Sequence, residues 1–141
     1  MSGVRRFTPD AAGAFRWHGV DVLRYKDEGS APFRDITRQV LFAPTDQASE
    51  LRYFEIAPGG HSTLERHAHT HAVLILRGRG TVQLGDEVHA IQEHDLVTVD
   101  PMTWHQFRAA ADCALGFLCL VSKDRDRPQL PTPDEAARLQ R

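Results

Sequence analysis

Between Arg38 and Val121 apolar residues recur at alternate positions in short runs, and Gly, Pro and Asp break those runs about every 8 to 12 residues. Alternation of this kind puts one face of a strand against a core. It predicts strands at 38–42, 51–57, 61–67, 71–77, 80–84, 87–91, 96–99, 103–109 and 115–121. No helical period intervenes between them, so the pattern predicts an all-β sandwich or barrel. Pro58-Gly59-Gly60 reads as a tight reversal and Gly85-Asp86 as a hairpin turn, and such turns make the flanking strands antiparallel neighbours.

The two ends depart from this rhythm. Phe15, Trp17, Val20, Val22, Leu23 and Tyr25 are apolar enough to dock on a barrel, with an edge strand expected near 20–24 and a loop at Asp27-Glu28-Gly29-Ser30. Pro128, Pro131 and Pro133 stiffen a linker. Thr132-Pro133-Asp134-Glu135 then has the form of a helix start, with Thr132 as cap and Glu135 completing a capping box. The helix expected at 134–140 is short and needs packing to persist. The expected organisation is an N-terminal extension over 1–35, a barrel over 36–122, and a linker with helix over 123–141.

The 141 residues, 41% hydrophobic and 26% charged, suffice for one globular domain and leave no room for a second of full size. Lys and Arg (17) nearly balance Asp and Glu (19), so a nucleic acid or an anionic membrane meets little net attraction, and neither is an expected partner. The apolar runs at 72–76 and 114–121 fall far short of the roughly 20 residues that span a bilayer. The polar start of the chain lacks the apolar core of a secretory signal, which makes the cytoplasm the expected location. Cys113 and Cys119 lie in one apolar run, roughly 20 Å apart if it is a strand, too far to bridge, in keeping with a reducing compartment. The mixed charges of 123–127 read as a solvated linker. No glycine-rich phosphate loop, serine elbow or C-x-x-C pair is present, so phosphoryl transfer and serine- or thiol-based covalent catalysis have no visible machinery.

Three of the eight histidines fall within Glu65-Arg66-His67-Ala68-His69-Thr70-His71. On a strand Glu65 and His67 share a face, and a turn near 68–70 brings His71 beside them. Imidazole and carboxylate donors of this kind suit Fe, Mn, Ni, Cu or Zn. His105, just after Asp100-Pro101-Met102-Thr103-Trp104, is the candidate from elsewhere in the chain. His61 reads as a partly exposed structural residue near the barrel mouth, and His89 and His94 as surface residues. Trp104 is expected to face away from His105 into core or dimer packing.

This combination resembles the cupin superfamily over roughly Val40 to Val121. The first cupin motif reads here as Gly59-x5-Glu65-x-His67-x3-His71-x6-Gly78, with one histidine and the glutamate exchanged relative to the usual order. In the second motif only His105 matches strictly, with His94, Asp100, Met102 and Ala109 at the other marked positions. The resemblance implies a double-stranded β-helix, the jelly-roll barrel, with a short C-terminal helix added and one divalent transition metal held inside. It implies Glu65, His67, His71 and His105 as ligands. The rival set is His67, His69, His71 and His105, with Glu65 displaced to hydrogen-bond a ligand from outside.

Such a site leaves coordination positions open, so the expected function is a metal-dependent oxygenase or related oxidoreductase acting on a small organic molecule, with Glu65 as general base if it is not a ligand. A lyase or isomerase using the metal to polarise a carbonyl is the nearest alternative. A non-enzymatic ligand-binding or sensor barrel is the third, since fold does not fix function. A homodimer is the expected assembly.

Overall fold

Among the described residues, nine strands and one helix follow in chain order: β1 (Leu23–Arg24), β2 (Arg34–Phe42), β3 (Ser49–His61), β4 (His71–Arg77), β5 (Arg79–Leu84), β6 (Glu87–Gln92), β7 (Leu96–Val99), β8 (His105–Ala109), β9 (Leu115–Ser122) and α1 (Pro133–Leu139). The structure is a computed structural model and describes residues 2–8, 13, 15–24 and 34–139. The loop expected at 27–30, and Tyr25, lie outside these residues.

Every strand pair is antiparallel, in the order β6-β5-β8-β3-β9-β4-β7, with β2 on β3 and β1 on β2. β3 joins the two halves of this curled sheet. Its first part lies between β2 and β9, from Leu51 opposite Leu120 to Ile56 opposite Leu115, and its last residue, His61, pairs with Arg108 of β8. The sheet therefore curls over one core in the jelly-roll architecture that the alternation and the cupin resemblance imply. Ile56, Val73, Ile75, Val82, Val99 and Leu115 fill the interior with no more than 1% exposure. The Phe107 ring stacks on Phe117 at 4.7 Å and Phe54 lies against Phe117 at 5.8 Å, which ties both halves into one core.

Pro58-Gly59-Gly60 does not reverse the chain. It lies within β3 as a kink: Gly59 takes φ of 74° and its amide donates to the Ala110 carbonyl at 2.9 Å. The strand expected at 61–67 is correspondingly absent. Ser62 replaces the ladder locally, its amide donating to the Phe107 carbonyl and its hydroxyl accepting from the Phe107 amide, each at 2.8 Å. Beyond it a one-residue bridge, Glu65 to His105, holds the segment against β8. Gly85-Asp86 is the hairpin turn between β5 and β6, as expected.

At the N-terminal side β1 is only two residues long, Leu23 opposite Arg38. Docking there falls instead to rings: Phe15 and Trp17 lie 5.8 and 5.2 Å from the buried Tyr53 ring. The helix begins one residue earlier than expected. Its capping box is formed, with Thr132 N donating to Glu135 Oε1 at 3.1 Å and Glu135 N to Thr132 Oγ1 at 3.2 Å. Leu139 is buried, and its carbonyl accepts from Gln83 Nε2 at 2.6 Å, the packing that so short a helix needs. Cys113 lies in the turn before β9 and not on the strand, and both cysteines are free. Among the described residues no helix is long and apolar enough to cross a membrane.

Candidate metal centre

The core is apolar toward one end of the barrel and polar toward the other. There the loop between β3 and β4 carries Glu65, His67 and His69, β4 begins at His71, and β8 begins at His105. The Glu65–His105 bridge, with amide-to-carbonyl distances of 3.2 and 2.9 Å, sets those two residues side by side. The Met102 amide donates to the His67 carbonyl at 2.8 Å and anchors the histidine loop from the opposite side.

His67, His71 and His105 converge. Their ring centroids form a near-equilateral triangle of 5.1, 4.7 and 5.1 Å. One donor nitrogen from each lies within 4.8 Å of the others, close to the roughly 4 Å that two donors about 2.1 Å from a shared ion can span. Each ring is oriented through Nδ1: His67 contacts the His69 carbonyl at 2.7 Å, His105 the Thr103 carbonyl at 2.8 Å, and His71 the Cys119 Sγ at 3.3 Å. With the Nδ1 proton donated, Nε2 keeps its lone pair for a cation, which is the usual outer support of a metal-ligating imidazole. The Nε2 of His71 is buried and has no hydrogen-bond partner, an orphaned acceptor that a cation would satisfy.

Electrostatics favour the same use. Burial, reinforced by the neighbouring imidazoles, lowers His71 to about 3. Burial also outweighs the Thr103 hydrogen bond and brings His105 to about 4, while His67 is lowered mainly by burial. All three rings are neutral at pH 7, the form that coordinates.

Glu65 and His69 occupy different places. Glu65 lines the same cavity, outside the three-nitrogen group, and burial raises its carboxyl to about 7 against the pull of Arg52. His69 stacks face to face on His67 at 3.7 Å, and its Nδ1 is taken by Asp126 Oδ1 at 2.8 Å. Asp126 also accepts from the Ala68 and His69 amides at 2.7 and 3.1 Å, and Gln129 exchanges backbone hydrogen bonds with Arg66 at 3.1 and 2.7 Å. The segment expected to be a solvated linker is therefore a strap, exposed itself but fastened across the histidine loop.

The cavity encloses about 580 Å³. Beyond the histidines its wall includes Thr63, Phe107, Phe117, Cys119, Arg38 and Arg52. The sequence singles out neither arginine and shows no machinery for thiol chemistry. The signal was available in strand parity: Cys119 shares the inward face of β9 with Phe117 and Val121, and Arg52 lies directly opposite it on β3. Trp104 is half-buried beneath the Arg66 guanidinium at 4.5 Å, and His89 and His94 are exposed, as expected.

Comparison with known proteins agrees with this architecture. Residues 52–121 match the Cupin domain family. Over 125 residues the chain is 61% identical to 1-methylthio-D-xylulose 5-phosphate methylsulfurylase of Rhodospirillum rubrum, covering 89% of this chain and 80% of that protein. A cupin-2 domain crystal structure from R. rubrum aligns with a TM-score of 0.83 at 60% identity, over 88% of this chain and 83% of that one. A cupin 2 conserved barrel domain protein from Rhodopseudomonas palustris aligns with a TM-score of 0.85 at 51% identity, over 96% and 90%. With the barrel, the converging imidazoles and relatives at this level of identity in agreement, the chain belongs to the cupin family.

Proposed function

We propose that this cupin is a metal-dependent enzyme that removes the methylsulfanyl group from a phosphorylated 1-methylthio ketose, with a thiol as acceptor. The observation that carries this reading is a single cavity holding both the three-imidazole cluster and the Cys119 thiol, in a chain 61% identical to a protein named for such a substrate. His67, His71 and His105 are the proposed ligands of one divalent transition metal, and when bound that metal would polarise the ketone of the substrate.

The remaining chemistry is assigned to protein groups. Burial raises the Cys119 thiol pKa, and the Arg52 guanidinium opposes that rise. The His71 Nδ1–H, 3.3 Å from Sγ, supplies a hydrogen bond that stabilises the thiolate. The Cys119 S–H proton passes to the Glu65 carboxylate in the same cavity, and the thiolate attacks the substrate sulfur. The carbon–sulfur bond breaks, its electron pair passes to the carbon next to the ketone as an enolate, and a methyl disulfide forms on Cys119. Glu65, near neutrality in its proton affinity, is the proposed acid that protonates that carbon. A low-molecular-weight thiol then takes the methylsulfanyl group and returns Cys119 to its reduced form.

The test is to supply metal-loaded protein with 1-methylthio-D-xylulose 5-phosphate and a monothiol, with and without O₂, and follow methylsulfanyl release by mass spectrometry. Turnover that requires the thiol, survives without O₂ and stops on chelation supports the reading. Absence of turnover, or an O₂ requirement in place of the thiol, overturns it, and the latter favours the oxygenase expected from the metal site alone.

The same reading favours the cytoplasm, where free thiols persist. A homodimer is proposed on a separate observation: Leu74, Leu96 and Leu120 are 38%, 66% and 49% exposed on the outer face of adjoining strands, an apolar stripe suited to a two-fold partner. Sedimentation as a monomer at micromolar concentration refutes the dimer.

A further inference from the structure

Of the four arginines that line the cavity, Arg125 and Arg127 belong to the strap, while the other two lie on strands and take no direct part in the reaction above. Arg38 on β2 and Arg52 on β3 line the interior, on the strand face that otherwise carries Ile36, Phe54 and Ile56. Arg38 lies opposite Phe54 and Arg52 opposite Val40. That register makes them diagonal neighbours on one face, roughly 7 Å apart at Cβ.

Both are poorly satisfied by the protein. Each has a buried Nε with no hydrogen-bond partner. Arg52 stacks over the Phe54 ring at 4.9 Å and reaches Cys119 Sγ only at 3.8 Å, and its nearest carboxylate oxygen, on Glu50, is 3.7 Å from Nε. That Glu50 oxygen is already committed to Arg125 at 2.6 Å. Among the described residues no carboxylate pairs with Arg38. Two neighbouring cations with unpaired buried donors repel each other and lose hydration, so the pair is costly unless an anion joins it.

Position selects the anion's place in a ligand. Arg52 is directly opposite Cys119, whose sulfur is 3.3 Å from His71. The arginines therefore lie across the thiol from the imidazole cluster. The geometry points to an anion-binding arm made of Arg38 and Arg52, which holds the phosphate of a sugar phosphate while the carbon skeleton runs past Cys119 to the histidines. One guanidinium fork satisfies a planar carboxylate, whereas two forks match the three terminal oxygens of a phosphate monoester. The sugar part of this inference rests on the proposed function, and the arginine arm rests on the cavity itself.

Calorimetric titration of the full-length, metal-loaded chain tests it, with D-xylulose 5-phosphate, D-xylulose and D-gluconate as probes. The phosphorylated probe is expected to bind at least about 100-fold more tightly than the other two. Arg38→Met and Arg52→Met, which keep an apolar stem, are each expected to weaken that binding by about 10- to 100-fold and to leave D-xylulose binding unchanged. Arg38→Lys and Arg52→Lys keep the charge and lose the fork; where a Met variant misfolds, weakened phosphate binding by its Lys counterpart supports the arm in its place. Folded variants that bind the phosphorylated probe as the wild type does overturn the arm, as does a wild type that prefers the carboxylate. The two readings fail separately. If the wild type does not turn over the methylthio substrate but the arginine variants still lose the phosphorylated probe, the arm stands and the reaction falls. If turnover occurs and neither arginine variant changes KM, the reaction stands and the arm falls.

Discussion

Replacing Cys119 separates the hydrogen bond that orients His71 from the chemistry proposed for the same sulfur. In the structure Sγ lies 3.3 Å from His71 Nδ1, and the residue is 2% exposed. Cys119→Ala removes the acceptor and leaves the imidazole free to turn. Loss of such an outer partner costs about 10- to 100-fold in metal affinity, or about 1.4–2.7 kcal/mol, and the vacated volume costs about 1 kcal/mol in fold stability. Cys119→Ser keeps an acceptor in the same place and is expected to hold metal within a few-fold of the wild type. Both variants are expected to lose turnover, because a serine hydroxyl does not accept a methylsulfanyl group. The assay pairs competition against a calibrated chelator with intact-protein mass spectrometry after a single turnover without external thiol. The wild type gains the mass of a methylsulfanyl group in place of hydrogen, and neither variant does. A serine variant that turns over normally refutes the thiol chemistry. An alanine variant that binds metal at full strength refutes the orienting role.

Asp126→Ala is expected to loosen the histidine loop, read as faster amide exchange at Ala68 and His69. The amides and the His69 ring hold the Asp126 carboxyl well below its usual range, so the clasp contributes fully above the unfolded carboxylate value near 4 and is lost as pH falls through the depressed folded value. Equal protection, relative to free-peptide exchange at the same pH, at pH 5 and 7 in the wild type, with low protection in the variant at both, is the expected pattern. Burial and the Glu55 carboxylate raise the Tyr53 phenol far above its ordinary value, against the pull of Arg77. Its contribution to stability is therefore full below about pH 10 and declines as pH rises further. Native protein at pH 11 should show less tyrosinate absorbance than unfolded protein, and Tyr53→Phe should shrink the difference; equal absorbance in both states counts against the buried phenol. A Cβ at Gly116 overlaps Tyr53 Oη. Gly116→Ala should therefore cost about 3 kcal/mol through overpacking and a disturbed Tyr53–Glu55 hydrogen bond, and an unchanged urea midpoint refutes that clash.

What the sequence revealed and what it hid follow from the range of the forces involved. Alternation and turn chemistry are local, so the strands at 71–77 and 96–99 and the Thr132–Glu135 cap were legible. Pro58-Gly59-Gly60 carries every local mark of a reversal, yet tertiary pairing of β3 with β9 on one side of the kink and β8 on the other keeps it extended. His67, His71 and His105 were legible through the cupin spacing. Asp126 was not, because its partners are 57 and 58 residues away and its own neighbours spell a solvated charge run. The arginines were hidden by a similar confusion: a charge at a core-parity position looks like a lapse in strand patterning until the cavity beside it is known. The absence of a C-x-x-C pair concealed the thiol for the same reason, since one cysteine becomes chemically placed only when the fold sets His71 and Arg52 beside it.

The strap also orders events during synthesis. The barrel strands and all three converging histidines have emerged from the ribosome before Asp126 and Gln129, which fasten the loop bearing His67 and His69. The fastening residues lie outside every barrel strand, so the β-structure is complete without them and only the ion-binding loop depends on their arrival.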